Sequence, residues 1–189
     1  MTLAPVPRAL GVCFLAAALL AGCTASEPDA SDSPEPTPSA ASQLPEVGWG
    51  GSEYPVPCFA RVPTVKFVNG EATYRGFQVT ADVAARGELA SYESVSIHVV
   101  CSGASGSPSS VLVYIAGIDG PEYVGLALSP KEFIDLKKAK YVRGELSLTG
   151  YGFTRGTPAC CPDLIVTKTV ALEDGKLVKT NLAKEPFKG

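Results

Sequence analysis

The sequence is poor in the residues from which most active sites are built. It has one histidine, His98, and one tryptophan among 189 residues. It contains no Gly-x-Ser-x-Gly elbow, no phosphate-binding glycine loop and no His-Glu-x-x-His motif. Nucleophilic catalysis needs a base beside the nucleophile, and Ser96, on the same predicted strand face as His98, would lie about 7 Å away. We therefore expect no catalytic residues and no cofactor.

Metal and nucleic-acid binding are also disfavoured. A structural zinc site needs paired ligands, and the cysteines show no Cys-x-x-Cys spacing. The chain has 16 Lys and Arg against 19 Asp and Glu, and five of the acids fall in residues 24–46, which contain no base. The rest of the chain is thus close to neutral, whereas nucleic-acid binding needs a concentrated basic face.

The beginning of the chain has the pattern of a bacterial lipoprotein signal. The apolar run Ala9 to Leu20 is too short to span a bilayer, which takes about 20 residues. It ends in Leu20-Ala21-Gly22-Cys23, which resembles a lipobox. By that resemblance, residues 1–22 are a signal peptide and Cys23 becomes the diacylated first residue of the mature protein. Two acyl chains such as palmitate give stable anchoring, so we expect the outer face of the cytoplasmic membrane.

A polar segment separates this anchor from the folded part. Residues 23–46 are rich in Ser, Pro and acids, and such a segment cannot bury enough apolar area to fold. Proline favours an extended spacer, and the Ser and Thr hydroxyls are open to O-glycosylation. We assign residues 23–46 as a disordered linker and residues 47–189 as a single domain.

The domain shows the side-chain alternation of β-strands. In residues 93–101 one face carries Val95, Ile97, Val99 and Cys101, and the other carries Ser94, Ser96, His98 and Val100. Similar segments, separated by turn signals such as Asn69-Gly70, predict about eight strands. We expect a mainly β or α+β fold, built as an antiparallel sheet, a sandwich or a half-barrel with one short helix. Trp49 lies in a glycine-rich loop that we expect to cover the core; a ligand-stacking platform is the alternative.

One helix is predicted. Ser129-Pro130-Lys131-Glu132 combines a serine cap, a proline at the first helical position and the glutamate of a capping box. The helix would run to about Ala139, with Phe133, Ile134 and Leu136 inward. The one basic cluster would then be its solvated end, with an anion or lipid-headgroup site as the alternative. This cluster consists of Lys137, Lys138, Lys140 and Arg143.

Four cysteines of the domain are candidates for disulfides: Cys58, Cys101, Cys160 and Cys161. An even number outside the cytoplasm predicts two bridges, with three possible connectivities. Neighbouring residues of an extended chain point to opposite sides, so we expect one of Cys160 and Cys161 to bond Cys58 and the other Cys101. A bond between the two neighbours, which would close a strained small ring, is the alternative.

A set of motifs along the chain points to one family of proteins. They are the lipobox, the Ser/Pro spacer and the segments Cys101-Ser102-Gly103, Val111-Leu112-Val113-Tyr114, Ala159-Cys160-Cys161-Pro162 and Leu172-Glu173-Asp174-Gly175-Lys176-Leu177. The combination resembles actinobacterial lipoproteins of the LppP/LprE type. That resemblance implies an envelope lipoprotein and brings no defined catalytic activity. Relatives have an Asp/Gly-rich turn where this chain has residues 82–87, a departure that argues against an ion site there.

Three functions are compatible with these features. The one we favour is a non-catalytic interaction or accessory module of the cell envelope, whose partner is an envelope protein, the cell wall or a lipid. It should show an exposed apolar edge or patch without a deep cavity. A carrier of a lipid or small hydrophobic ligand should show an apolar pocket of several hundred Å³. A hydrolase, the least favoured, should show converging acids, or His98 joined to an acid and a nucleophile.

Overall fold

Eleven strands and two single 3-10 turns build the described part of the chain. The computed structural model describes residues 44–46, 48–103, 108–132, 134–154, 156–157 and 161–187. The predicted signal peptide, the lipobox cysteine Cys23, most of the linker, Phe133 and Cys160 lie outside the described residues. The strands are β1 (Glu53–Pro55), β2 (Thr64–Lys66), β3 (Glu71–Tyr74), β4 (Phe77–Leu89), β5 (Tyr92–Ser102), β6 (Ser109–Gly117), β7 (Gly120–Leu128), β8 (Asp135–Val142), β9 (Glu145–Gly152), β10 (Leu164–Glu173) and β11 (Lys176–Pro186).

The strands form two main sheets. Sheet I has the order β3-β4-β5-β6-β7, and sheet II has the order β11-β10-β9-β8. Strands β1 and β2 form a separate two-stranded sheet. All pairings between these strands are antiparallel. The predicted mainly β fold with antiparallel sheets is therefore confirmed.

The side chains of β5 alternate between two hydrophobic cores, one on each face of sheet I. Its apolar face, which ends in Cys101, enters a core that the N-terminal segments cover with Trp49, Tyr54 and Phe67. The other face of sheet I packs on sheet II, through a second cluster that contains Val111, Val113, Leu146, Leu148, Val166 and Val170. Because sheet I is covered on both faces, β6 is a continuous buried run rather than an alternating one.

Left-handed two-residue turns close several hairpins. Asn69 and Gly70 have φ angles of 53° and 80°, as the Asn-Gly signal predicts. Three further turns were not predicted: Arg75-Gly76, Ala90-Ser91 and Arg143-Gly144, all with positive φ. The first separates β3 from β4, and the last separates β8 from β9.

The predicted helix over residues 129–139 is wrong. Its start does form, because the amide of Ser129 donates to Glu132 Oε2 at 2.8 Å. Among the residues of this range that the structure describes, Pro130–Glu132 alone is helical, and from Asp135 the chain is strand β8, paired with β9. An isolated helix this short is marginal, so pairing with β9 overrides the local capping signal.

The domain begins inside the segment that we assigned to the linker. The side chain of Leu44 is 3% exposed, and its amide donates to the Glu93 carboxylate at 3.2 Å. The Pro45 carbonyl accepts hydrogen bonds from Trp49 Nε1 at 2.7 Å and from Arg86 at 2.6 Å. Residues 44–46 therefore belong to the packed domain.

A disulfide joins Cys58 to Cys101, with an S–S distance of 2.01 Å. The expected bonds from Cys160 and Cys161 to these two cysteines are therefore wrong. The reason is spatial: Cys101 lies at the end of β5, in the core against which the segment with Cys58 packs. A second disulfide is not confirmed, and Cys160 lies outside the described residues.

Candidate functional site

A cleft opens where β4 and β8 approach each other. Both strands are irregular there: the register of β4 shifts between Val83 and Ala85, and that of β8 shifts between Leu136 and Lys138. Bulges of this kind re-aim side chains and are frequent beside functional sites. The cleft has a volume of about 310 Å³ and is lined by Asp82, Val83, Ala84, His98, Leu136, Lys137, Lys138 and Ala139.

His98 lies in this cleft and contacts a buried serine. Its Nε2 atom is 2.5 Å from the Oγ of Ser109, whose residue is 6% exposed. Ser96, which we considered as a partner of His98, donates instead to the Ala85 carbonyl at 3.3 Å. The pair of His98 and Ser109 depends on the register between β5 and β6. The periodicity of a single strand gives no signal for it.

Burial lowers the pKa of His98, against the opposing effect of the Asp82 and Asp135 carboxylates. Asp82 is the cross-strand neighbour of His98 on β4, and the Asp135 carboxylate lies 2.7 Å from Lys137 Nζ. Desolvation disfavours the charged imidazole, so His98 is neutral at neutral pH.

The pair of His98 and Ser109 has two features of a nucleophilic site. A neutral imidazole within hydrogen-bond distance of a hydroxyl is able to act as its general base. Ser109, however, is not among the residues that line the cleft, and its exposed fraction is small. A ligand in the cleft would contact His98 and not the Ser109 hydroxyl. The geometry therefore favours a structural role, in which Ser109 fixes the orientation of the imidazole.

Trp49 is part of the core, in agreement with the prediction that its loop covers the core. It is 7% exposed, and its ring centroid lies 5.5 Å from that of Tyr114. The Arg86 guanidinium lies 5.9 Å from the same ring. A buried ring with these neighbours is not available as a ligand-stacking platform.

The predicted basic cluster lies on strand β8 and the turn that follows, and not at the end of a helix. Lys137, Lys138 and Lys140 are exposed, and Arg143 occupies the turn with φ 54°. Lys137 Nζ also lies 5.2 Å from the centroid of the Tyr151 ring. Lys137 and Lys138 line the His98 cleft, so the cleft has a basic side on β8 and Asp82 on β4.

The solvent-facing side of sheet II is a second candidate site. Leu146, Leu148, Val166 and Val170 of its central strands enter the core, and the residues between them point the other way. We define the outer face by the half-buried residues Ser147, Thr149, Tyr151, Ile165, Thr167, Thr169 and Ala171. None of these seven side chains is charged, and the acids that continue the same alternation, Glu145 and Glu173, lie at the ends of the two strands.

The register of sheet II places the hydroxyl groups of the outer face side by side. Thr149 pairs with Thr167, and their Oγ1 atoms are 3.4 Å apart. Ser147 pairs with Thr169 one row further along. The outer face thus presents neighbouring groups that each donate and accept hydrogen bonds.

The two marginal strands of sheet II are basic. Strand β8 has three lysines against Asp135, and β11 has three lysines against Glu185. In the register of the sheet, Lys138 lies opposite Thr149 and Lys140 lies opposite Ser147. On β11, however, Lys179 and Lys184 lie opposite the inward-facing Val170 and Val166, so that margin of the outer face carries Lys176 and Glu185. An uncharged centre with a margin of both charges has the arrangement of an interaction surface, in which charge is depleted from the core and retained at the rim.

Neither a metal site nor a membrane-spanning helix is found in the described part of the chain. No three His, Cys, Asp or Glu side chains converge there as possible metal ligands. None of the helical segments described is long and apolar enough to cross a bilayer.

Comparisons with known proteins identify no relative. No family model, no curated protein and no solved structure matches this chain. The resemblance to lipoproteins of the LppP/LprE type therefore stays a prediction.

Proposed function

We propose that this protein is a lipoprotein, anchored through Cys23 to the outer face of the cytoplasmic membrane. Its β domain acts as a non-catalytic interaction module of the cell envelope. The lipobox sequence Leu20-Ala21-Gly22-Cys23 supports the anchor, and the polar segment that follows supports a tether between anchor and domain.

The observation that best supports an interaction module is the uncharged centre of the outer face of sheet II. It is a half-exposed surface on the side of the sheet away from the core, and its charged residues lie at the margins. The space between the two sheets is filled by the apolar side chains of the second core cluster, except at the His98 cleft, whose lining includes the charged residues Asp82, Lys137 and Lys138. These features favour a module that contacts partners through its surface over a carrier that encloses a ligand.

A second candidate function is hydrolysis at the His98 cleft. The contact between His98 and Ser109, with Asp82 across the strand pair, is the observation that favours it. A fluorophosphonate probe, which labels activated serines, decides between the two functions. We expect no label on Ser109 in the folded protein. A label on Ser109 that is lost in His98→Gln would establish a hydrolase and contradict the non-catalytic proposal.

The anchor is tested by detergent phase partitioning of the protein made in a bacterium that processes lipoproteins. We expect the wild type in the detergent phase, with two acyl chains on Cys23 by mass spectrometry. Cys23→Ser should move to the aqueous phase. Cys13→Ser is the matched control, because Cys13 lies in the predicted signal peptide and its loss should leave partitioning unchanged. A Cys23→Ser protein that stays in the detergent phase would contradict the anchor.

A further inference from the structure

We propose that one end of sheet I rests on the surface of a membrane that contains anionic lipids. This inference rests on the proposed Cys23 anchor, which keeps the domain close to a bilayer, and it names the lipid surface as a partner of the domain itself. Three features support it: a cluster of aromatic rings with two arginines, an acidic opposite end, and the length of the tether.

The cluster forms where the loop between β1 and β2 meets the turn between β3 and β4. The centroid of the Phe59 ring lies 5.0 Å from that of Tyr74 and 5.5 Å from that of Phe77. The disulfide between Cys58 and Cys101 fixes the same loop to the end of β5. We define the arginine patch as Phe59, Arg61, Val62, Tyr74, Arg75 and Phe77.

The arginine patch combines apolar and cationic side chains. Its three aromatic residues are half-buried, its arginines are exposed, and Val62 is 56% exposed. The Arg75 guanidinium lies 5.5 Å from the centroid of the Tyr74 ring. Thr73 and Gln78, the neighbours of Tyr74 and Phe77 along the strands, point to the other face of sheet I. Rings and arginines on one surface suit the boundary between lipid headgroups and acyl chains.

The arginine patch is basic. Residues 56–63, 72–78 and 101–103 contain two arginines and no acid. Neither arginine forms an ion pair with another residue that the structure describes. Sheet II carries both signs of charge at this end, among them Lys131 and Asp163, so the patch is the part of the end that is free of acids. Each arginine close to an anionic bilayer strengthens binding by about fivefold.

The opposite end of the domain is acidic. The antiparallel pairing of β5 with β6 places the turn between β6 and β7 there, away from Cys101. The amide of Ala90 donates to the Gly144 carbonyl at 3.0 Å, and the pairing of β9 with β10 adds the turn between β10 and β11. Seven acids and two bases lie in the four hairpin segments of this end, residues 88–93, 117–122, 142–145 and 173–176. Anionic headgroups repel this end and attract the arginine patch.

The tether is long enough for this orientation. The folded domain begins at the acidic end, where the Leu44 amide donates to the Glu93 carboxylate. Strand β4 runs from the arginine patch to this end, and its 13 residues cover about 40 Å at ~3.3 Å per residue. Residues 24–43 can span about 60 Å at ~3.1 Å per residue. A weak contact suffices, because a tethered domain meets the bilayer at an effective concentration of the order of mM.

Lipid photocrosslinking tests the orientation. The mature chain, residues 23–189, carries an N-terminal histidine tag and is held on vesicles by a nickel-chelating lipid. The tether is then present whether or not Cys23 is acylated in cells. The vesicles are phosphatidylcholine, alone or mixed with phosphatidylglycerol. A photoreactive amino acid replaces Val62 or, as the matched control, Ile118, which is 96% exposed in the acidic end.

We expect phospholipid adducts from position 62 on the mixed vesicles, read by mass spectrometry. Position 118 should give at least about fivefold fewer adducts, although Ile118 is the more exposed of the two apolar residues. Phosphatidylcholine alone should lower the yield from position 62 to a similar extent, because it removes the anionic charge.

Two further variants test the role of charge. Arg61→Gln with Arg75→Gln should lower the adduct yield from position 62 about tenfold or more on the mixed vesicles. Arg143→Gln is the matched control, because Arg143 lies in a turn of the acidic end, and it should not lower the yield.

Three results would overturn the inference. They are the absence of lipid adducts from position 62, equal yields from positions 62 and 118, and an unchanged yield in a correctly folded Arg61→Gln/Arg75→Gln variant. Because the tag supplies the tether here and the partitioning test reads the acylation of Cys23, failure of one is distinguishable from failure of the other.

Discussion

Lys168 donates hydrogen bonds to both carboxylate oxygens of Glu132, at 2.7 Å and 2.9 Å. The Lys168 residue is 8% exposed, on a strand whose neighbouring inward side chains are apolar. The contact ties the turn Pro130–Glu132 to sheet II, at the point where the local sequence favours a helix. It thereby helps to set the start of β8.

Substitution of the two residues of this ion pair should lower the free energy of unfolding by different amounts. Glu132→Gln leaves a buried ammonium without its carboxylate and should lower the free energy of unfolding by about 2–3 kcal/mol. Lys168→Met leaves a carboxylate whose side chain is 32% exposed, so it should cost less. Urea unfolding of both single variants and the double variant measures the difference. A larger loss for Lys168→Met than for Glu132→Gln would show that this account of the pair is wrong.

Gly87 should not accept a side chain. A Cβ atom at this position would lie 2.5 Å from the Cβ of Tyr141, on the facing strand β8. Gly87→Ala should therefore lower the free energy of unfolding by about 1–3 kcal/mol. Gly51→Ala is the matched control, because a Cβ atom there meets nothing within 4 Å. Equal stability of the two variants in thermal unfolding would contradict the close approach of β4 and β8.

His98 should make stability depend on pH. Burial lowers its folded pKa below the usual value, so the unfolded chain binds more protons as the pH falls below about 6.5. The contribution is therefore fully present above that pH and is lost as the pH falls toward the folded pKa. His98 is the sole histidine, so the difference between wild type and His98→Gln isolates the effect.

The measurement is the free energy of urea unfolding of both proteins at about pH 7.5 and about pH 5. The wild type should lose more stability than His98→Gln over this interval. The carboxylates common to both proteins cancel in the comparison. Parallel pH profiles for the two proteins would show that His98 is not buried in its neutral form.

The disulfide between Cys58 and Cys101 should contribute much of the stability of the N-terminal segments that cover the first core. Cys58 and Cys101 are 43 residues apart, and the chain-entropy model gives about 4 kcal/mol for a loop of this length. Cys58→Ser should lower the free energy of unfolding by roughly this amount. Non-reducing peptide mapping of the wild type should recover the peptides of Cys58 and Cys101 as one cross-linked species. Recovery of Cys58 linked to any other cysteine would refute the pairing.

Local patterns predicted the strands well where one face of a strand is buried. The alternation of β5 gave the correct side for Val95 and for His98, because each residue step reverses the side chain. The Asn69-Gly70 turn was also predicted correctly, since its residues suit the left-handed backbone. Ala90-Ser91 adopts a similar backbone without glycine, and the sequence gives no such signal there.

Features that depend on long-range pairing were not predictable. The helix signal at Ser129 was read correctly as a cap, but the pairing of β8 with β9 decided the structure of the following residues. The contact of His98 with Ser109 and the bond of Cys58 with Cys101 join residues from different segments. The outer face of sheet II likewise exists only once β9 and β10 are in register.

The most direct test of the interaction module is site-specific photocrosslinking in living cells. A photoreactive amino acid replaces Thr167 on the outer face, and in a control strain it replaces the exposed Thr73 on β3. We predict a crosslinked species of higher mass from position 167 and none from position 73. No adduct from position 167, or the same adducts from both positions, would contradict the claim that this face of the domain contacts a partner in the envelope.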